Sequence, residues 1–291
     1  MLKQDREILA TVLANLYPVT CDELKAEAFY FRYFASSPQY RGNVFVARTS
    51  TLVIDWMKKN SSGKTLFYAY LEKKNFQSSK LVASLGFEVI RNTSTYGFSR
   101  FFPKKDTRVQ KVLQAGEKES VIDLLRDFYR HHSMVNFSSI HNNDNYFVIR
   151  EHGEIVAGVQ AVKSRWIVQQ MEGWSGQLIM KAAPHIPFIN RLFNPSDFNF
   201  VGFEGIYFKA GREKDLMRLF EHILAEFQVN AGLFWQDVAC PYNLKNEALG
   251  LINKFVEGTG SSLMVHFNET GDQEKELIKS LPVYISCFDF V

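Results

Sequence analysis

The loop Pro38-Gln39-Tyr40-Arg41-Gly42-Asn43 is the most informative part of the chain. It joins a strand-like segment, residues 26–35, to a helix-like segment, residues 44–59. A glycine turn that leads from a strand into a helix directs several unpaired backbone N–H groups, and the positive end of the helix dipole, to one point. The loop therefore predicts a binding point for a phosphate or pyrophosphate group.

A second segment adds to this pattern. A buried strand is predicted over residues 66–71, and after it a helix that begins at Asn75 and ends in Leu85-Gly86-Phe87. Together the loop and this helix resemble the acetyl-CoA-binding half of the GCN5-related N-acetyltransferases (GNATs), which have a P-x-Y-R-G-x-G-x-G/A loop before such a helix. The matching residues are Pro38, Tyr40, Arg41, Gly42, Asn75, Leu81, Leu85, Gly86 and Phe87.

The resemblance implies a donor, acetyl-CoA or another acyl-CoA, that is bound without a metal ion. The loop would hold its pyrophosphate, Asn75 would flank the pantetheine arm, and N–H groups of the strand before the loop would polarise the thioester carbonyl. The family often has its general base, a carboxylate, on the strand that binds the cofactor. The resemblance therefore implies Glu27 as the base if the first half is active, or Glu204 if the second half is active. The implied cofactor-binding residues are Phe34, Ala35, Arg41, Gly42, Asn43, Val44 and Asn75.

The sequence departs from the family pattern at several positions. Val44 and Val46 stand where the family has further glycines, and their branched side chains predict a more crowded phosphate site. Val82 stands where many GNATs have the tyrosine that protonates the thiolate, which leaves Tyr96 or Tyr33 as substitutes.

Composition excludes several other classes of protein. Hydrophobic residues make up 46 % and charged residues 22 % of the 291 residues, and the net charge of +3 is too small to predict a nucleic-acid or membrane partner. Cys21, Cys240 and Cys287 fit no metal or redox spacing, which favours a reducing cytoplasm, and neither Cys21 nor Cys240 has a base partner identifiable from sequence. No apolar run approaches the ~20 residues of a membrane span, and the first residues do not resemble a signal peptide.

The chain is predicted to hold two similar modules. The polar break at Pro103–Asp106 suggests a partial N-terminal GNAT-like module over residues 1–105 and a C-terminal one over residues 106–291. The fold class is thus α/β (α+β), each module a mixed, mostly antiparallel twisted sheet flanked by helices. The first module lacks about fifty residues that the family places upstream, so either it is truncated or the second module supplies that wall of the acceptor site.

Several further elements are predicted. Residues 7–17 are expected to form a strand rather than a helix, and residues 87–102 two short strands around a polar turn. Residues 171–200 are expected to be a long connection, residues 243–255 a helix, and residues 283–288 a last strand.

The sequence therefore predicts an acyl-CoA-dependent N-acyltransferase that acts on a small-molecule amine. The alternative is a binding or scaffold protein on a catalytically degenerate GNAT fold, which the missing glycines and tyrosine favour. A third interpretation is a longer acyl chain covered by residues 171–200. The sequence does not determine whether the chain forms a homodimer.

Overall fold

The computed structural model describes residues 1–4, 7–37, 39, 44–171, 173–242, 244 and 248–291. The strands of this part of the chain are β1 (Leu2–Gln4), β2 (Glu7–Cys21), β3 (Leu24–Ser36), β4 (Thr65–Glu72), β5 (Glu88–Ser99), β6 (Val109–Lys111), β7 (Tyr146–Glu151), β8 (Glu154–Trp166), β9 (Phe198–Phe208), β10 (Ala231–Asp237) and β11 (Ser261–Asn268). Its α-helices are α1 (Val44–Asn60), α2 (Phe76–Ser84), α3 (Ala115–Phe128), α4 (Gly173–Ala182), α5 (Pro187–Leu192), α6 (Glu213–Phe227), α7 (Leu251–Val256) and α8 (Asp272–Ser280).

The eleven described strands form one sheet in the order β1-β2-β3-β4-β11-β5-β10-β9-β8-β7-β6. Two neighbouring pairs, β3 with β4 and β9 with β10, are parallel, and the other described pairs are antiparallel. The predicted fold class, a mostly antiparallel mixed sheet flanked by helices, is confirmed. Every helix among the described residues is too short or too polar to cross a membrane.

Strand β5 joins the two halves of the sheet. It pairs with β11 up to Asn92 and with β10 from Thr93 onward. The prediction of two short strands over residues 87–102 was wrong, because the polar residues 92–95 are not a turn. Their backbone groups are paired in the sheet, and the hydroxyl of Thr93 both donates to Ser261 O and accepts from Ser261 N–H.

The two faces of the first half are packed differently. Helices α1 and α2 lie on one face, where Ile54, Phe67, Phe87 and Met264 form a buried cluster. On the other face, Tyr30 and Tyr68 belong to a cluster with Met134, Ile278 and Val283, which lie outside the strands of the sheet. The predicted strand over residues 7–17 is confirmed, and it continues through Pro18 to Cys21.

Residues 171–197 belong to a long connection between β8 and β9, as the sequence predicts, and this connection contains α4 and α5, because Ala183 and Leu192 are buried in an apolar cluster. Two other sequence predictions were wrong in whole or in part. Among the described residues of 243–255, Leu244 is 3₁₀-helical, and the α-helix begins only at Leu251, since Gly250 has a φ of 100° that an α-helix does not accommodate. Residues 283–288 contain a single bridge, from Val283 to Ser133, and a short 3₁₀ turn follows at Cys287–Asp289.

We expect Gly232→Ala to lower the free energy of unfolding by about 1–3 kcal/mol, because the added methyl group overpacks the core of the second half. A Cβ at residue 232 would lie 2.3 Å from Cε2 of Phe203, whose ring is stacked on Phe220 with centroids 3.9 Å apart. Urea denaturation measures the change. Gly116→Ala in α3 is the control, since its Cβ would meet nothing within 4 Å; an equal loss in both variants would contradict the packing argument.

Candidate active site

Strands β3 and β4 diverge. They pair in parallel from Glu27–Thr65 to Tyr30–Tyr68, and both strands continue beyond that point without further described pairing to each other. A β-bulge accompanies the divergence, because Tyr33 and Phe34 together lie opposite one residue of β2, and Tyr33 has a φ of 54°. Bulges and positive φ at a non-glycine residue are both enriched next to functional sites. The bulge removes backbone groups of β3 from regular pairing at the place where the sheet opens.

The N-terminus of α1 follows β3 in the chain, and the N-terminus of α2 follows β4. Helix α1 begins at Val44 and has no acidic residue in its first turn. Arg41, Gly42 and Asn43, which the sequence assigns to the pyrophosphate, lie outside the described residues. Asn75 caps α2, and its Oδ1 accepts a hydrogen bond from Ser78 N–H at 3.1 Å.

Residues 286–291, hereafter the C-terminal segment, lie against the diverging strands on the face opposite α1 and α2. Tyr30 Oη donates to Asp289 O at 2.6 Å, and Arg32 Nη1 donates to Phe288 O at 2.9 Å. The ring of Tyr70 packs on that of Phe290 with centroids 4.8 Å apart. The segment thus belongs to the second half of the chain in sequence and contacts both halves, since the ring of Phe290 is also stacked on that of Trp235 with centroids 4.7 Å apart.

A cavity of about 230 Å³ lies beside the C-terminal segment. This is roughly eight times the liquid volume of a water molecule, which suits a small molecule. Both halves of the chain line it: Tyr17, Val19, Tyr68 and Tyr70 from the first, and Met134, Asn136, Ser138, Ser139, Asn142, Tyr284, Ser286, Phe288 and Asp289 from the second.

The loop over residues 133–144 forms one wall of this cavity. Its backbone is held by pairing of Thr20 with Val135 and of Ser133 with Val283. Residues with positive φ are concentrated in it, at Met134, His141, Asn143 and Asp144. Such conformations cost free energy and tend to be found at ligand-binding positions.

Asp289 is the one ionisable carboxylate among the described residues that line the cavity. Its side chain is almost fully buried, and its Oδ2 accepts a hydrogen bond from Tyr68 Oη at 3.4 Å. Burial, and to a smaller degree the nearby Glu204, raise the pKa of Asp289 well above the ordinary aspartate value, while Arg32 and the Tyr68 hydroxyl act in the opposite direction. A carboxylate in such an environment is a stronger base than one in water.

Glu204 holds the chain that leads into the C-terminal segment. Its carboxylate accepts hydrogen bonds from the Tyr284 hydroxyl, from Ser286 Oγ at 3.1 Å and from Cys287 N–H. Burial raises its pKa, and these donors lower it in part. With only 1 % of its surface exposed, Glu204 fixes the position of the residues around Asp289.

The second half contains a similar divergence, but protein side chains fill it. β9 and β10 pair in parallel at Val201–Gly232 and Gly202–Leu233, then separate. The remaining cavity there is about 20 Å³, which is enough for about one water molecule. The first turn of α6 carries Glu213 and Asp215, so the equivalent helix N-terminus presents negative charge.

The cavity in the second divergence contains a cysteine and a histidine that the sequence did not pair. Cys240 Sγ lies 3.9 Å from His132 Nε2. Burial raises the pKa of the thiol to about 11 and lowers the pKa of the imidazole to about 4, so both are neutral near pH 7. This pair therefore lacks the thiolate that nucleophilic catalysis requires.

The other sequence candidates lie at different places. Glu27 is half-buried where β3 still pairs with β4, and four strands separate β3 from the strand of Glu204. Phe34 and Ala35 are exposed at the bulge, and Val44 begins α1. Tyr33 lies at the bulge beside Arg32, whereas Tyr96 is stacked on Phe234 in the core of the second half.

Sequence reasoning did not find Asp289. It is 221 positions from Tyr68 in the chain, and its neighbours resemble no motif. A cluster of His, Cys, Asp and Glu residues that could hold a metal ion is absent from the described part of the chain.

One feature of the divergence tests whether an acyl-CoA fits there. The Nε of Arg32 is buried and has no hydrogen-bond partner among the described residues. A buried donor without a partner is costly, and a ligand that carries an acceptor oxygen would satisfy it. The unpaired donor, the bulge and the absence of acidic residues from the first turn of α1 all fit a thioester with a phosphorylated carrier.

Comparison with solved structures identifies the fold. Saccharomyces cerevisiae N-myristoyltransferase with bound myristoyl-CoA and inhibitors aligns over 97 % of this chain and 72 % of its own, with a TM-score of 0.59 and 8 % identity. A GCN5-related N-acetyltransferase from Sphaerobacter thermophilus aligns over 89 % and 78 %, with a TM-score of 0.52 and 9 % identity. One from Anabaena variabilis aligns over 90 % of this chain, with a TM-score of 0.50 and 8 % identity, and this chain spans 60 % of its length.

The protein therefore has the fold of the GNAT superfamily, and the resemblance seen in the sequence is confirmed at this level. These identities establish the fold and not the reaction. No protein-family model matches the chain, and comparison with curated proteins gives no match either.

Proposed function

We propose that the protein is an acyl-CoA-dependent N-acyltransferase that acts on a small-molecule amine. The observation that carries the proposal is the cavity that adjoins the divergence of β3 and β4 and that Asp289 lines. A donor thioester in the divergence and an amine in the cavity would lie on neighbouring sides of the same strands. Acetyl-CoA or a longer acyl-CoA would be the donor, and a reducing cytoplasm the compartment.

The first half is the better candidate for the donor site. Its divergence has the unpaired Arg32 Nε and the bulge at Tyr33, whereas the second divergence is nearly filled and faces the acidic first turn of α6. Bound acyl-CoA would supply a thioester carbonyl for attack by the amine. Backbone N–H groups at Phe34 and Ala35 would polarise that carbonyl, as the sequence predicts.

We propose that the acceptor site is shared by the two modules, residues 1–105 and 106–291. Residues 103–106, the predicted boundary, lie outside helices and strands. Because the cavity takes its lining from both sides of this boundary, we propose that the second module supplies the wall that the family resemblance implies for the first. This favours the second of the two explanations left open by the sequence.

In this proposal Asp289 accepts a proton from the amine before attack. Glu204 is a positioning residue, since its carboxylate is occupied by three donors of residues 284–287. Glu27 as a base stays a prediction from sequence. Tyr33 is the candidate for protonating the leaving thiolate, because its hydroxyl lies at the bulge.

We expect Arg41→Ala to weaken acyl-CoA binding by about 10–100-fold, because a charge-assisted contact to phosphate contributes about 1.5–3 kcal/mol. Calorimetric titration with acetyl-CoA and with CoA measures the affinity. Arg212→Ala is the control at the corresponding turn of the second half, where Arg212 pairs with Glu151 and Asp215. Weaker binding in the control alone would move the donor site to the second half.

The rival proposal is a binding protein on a degenerate transferase fold. It predicts no acyl-CoA binding at millimolar concentration in the same titration. Binding near one site per chain, followed by release of CoA when an amine is added, would reject it.

A further inference from the structure

We propose that the acceptor is a small hydroxylated primary amine without acidic groups, of the amino-sugar or amino-alcohol class, whose ammonium group binds between Asp289 and the rings of Tyr68 and Tyr70. This inference rests on the proposed function but names the substrate class.

The charge of the wall selects a cation. Asp289 is the one carboxyl group of the described lining, which contains no lysine or arginine, and it becomes negatively charged when a cation binds beside it. The rings of Tyr68 and Tyr70 meet edge to face with centroids 5.9 Å apart, and the Tyr68 hydroxyl lies 3.4 Å from Asp289 Oδ2. A buried carboxylate beside tyrosine rings is a typical recognition site for an ammonium group. An anionic group on the same ligand would find no positive partner in this wall.

The opposite wall selects hydroxyl groups. Ser138, Ser139, Asn136 and Asn142 lie along the loop of residues 133–144, and Ser286 lies at the start of the C-terminal segment. Hydroxyl and amide side chains can both donate and accept, which matches the hydroxyls of a sugar or an amino alcohol. A volume of about 230 Å³ holds about one sugar ring, and most of a peptide of several residues would lie outside it.

Binding of the cation is expected to release a proton. Burial raises the pKa of Asp289. The titratable and charged groups that face it are Glu204 on β9, Tyr17 on β2, Arg32 and Tyr30 on β3, Tyr68 and Tyr70 on β4, and Cys287 in the C-terminal segment. An ammonium beside the carboxylate favours its ionised form. The number of protons released on binding can therefore be measured without any turnover.

The experiment is calorimetric titration of the full chain, without acyl-CoA, in two buffers of different ionisation enthalpy. The probes are glucosamine, glucosamine 6-phosphate, glucose and cyclohexylamine. We expect glucosamine to bind at least tenfold more tightly than each of the others and to release protons, and Asp289→Asn to lose both the affinity and the proton release. Equal binding of glucosamine 6-phosphate or glucose would overturn the charge argument, and equal binding of cyclohexylamine the hydroxyl argument.

Two further arms separate this inference from the proposed function. Binding of acetyl-CoA without binding of any of the four probes would reject the substrate class and leave the transferase. Binding of glucosamine without binding of acetyl-CoA would support the amine site and reject the transferase. Tight binding of a glycine-terminated tetrapeptide amide would reject the size limit, and with it the substrate class.

Discussion

Asp289→Asn is expected to lower the rate of acyl transfer by about 10²–10⁴, the usual contribution of a general base, while acyl-CoA affinity stays within about twofold. The side chains have the same shape, and an asparagine oxygen can still accept the hydrogen bond from Tyr68 Oη. The substitution thus removes the proton acceptor of the cavity and preserves its walls. The rate of acyl transfer is measured with an amine that the wild-type protein acylates, and the affinity is measured by titration with acetyl-CoA.

The pH profile provides a second readout for the same variant. A base acts in its ionised form, so activity should fall as the pH falls through the pKa of Asp289. Because burial raises that pKa, the fall should occur above the ordinary carboxylate range, and it should be absent from the residual activity of Asp289→Asn.

Asp123→Asn is the matched control, since Asp123 is exposed on α3 and pairs with Arg126. It should leave both turnover and affinity unchanged. Turnover of Asp289→Asn within threefold of the wild-type value, in a variant that is folded, would exclude Asp289 as the base. The candidate would then be Glu27, tested by the same pair of measurements.

Glu204→Ala is expected to lower the free energy of unfolding by about 3–5 kcal/mol. The substitution leaves the Tyr284 hydroxyl, Ser286 Oγ and Cys287 N–H without their acceptor, and each buried donor left unpaired costs about 1–3 kcal/mol. Chemical denaturation measures the loss. Glu276→Ala, at an exposed position of α8, should change stability by less than about 0.5 kcal/mol.

Glu204→Gln removes the ionisable group of this side chain and keeps its shape. Burial raises the pKa of Glu204 in the folded protein, so the folded state binds its proton more tightly than the unfolded state does. Stability from this group is fully present below the ordinary glutamate pKa and is lost as the pH rises toward the raised value. The glutamine variant should therefore show a smaller decrease in stability from about pH 4 to pH 7 than the wild type. An unchanged slope would mean that the pKa of Glu204 is not raised in the folded state.

Local sequence determined the parts of the fold in which neighbours in the chain are neighbours in space. The strand of residues 26–35, the helix from Val44 and the cap at Asn75 all depend on periodicity, turn chemistry or capping within a few residues. Helix α2 ends at Leu85-Gly86, where Gly86 has a φ of 85°. A glycine at the end of a helical pattern predicts such an end from sequence. These elements carried the resemblance to the GNAT superfamily.

Tertiary structure alone decided the rest. The polar residues of β5 form a strand because β10 and β11 pair with them, and both come from the other end of the chain. Asp289 acquires its environment from Tyr68 and Glu204, and the acceptor cavity forms where the two halves meet. Burial and contacts between distant parts of the chain, rather than local propensity, set the properties of these residues. Local sequence patterns therefore do not predict them.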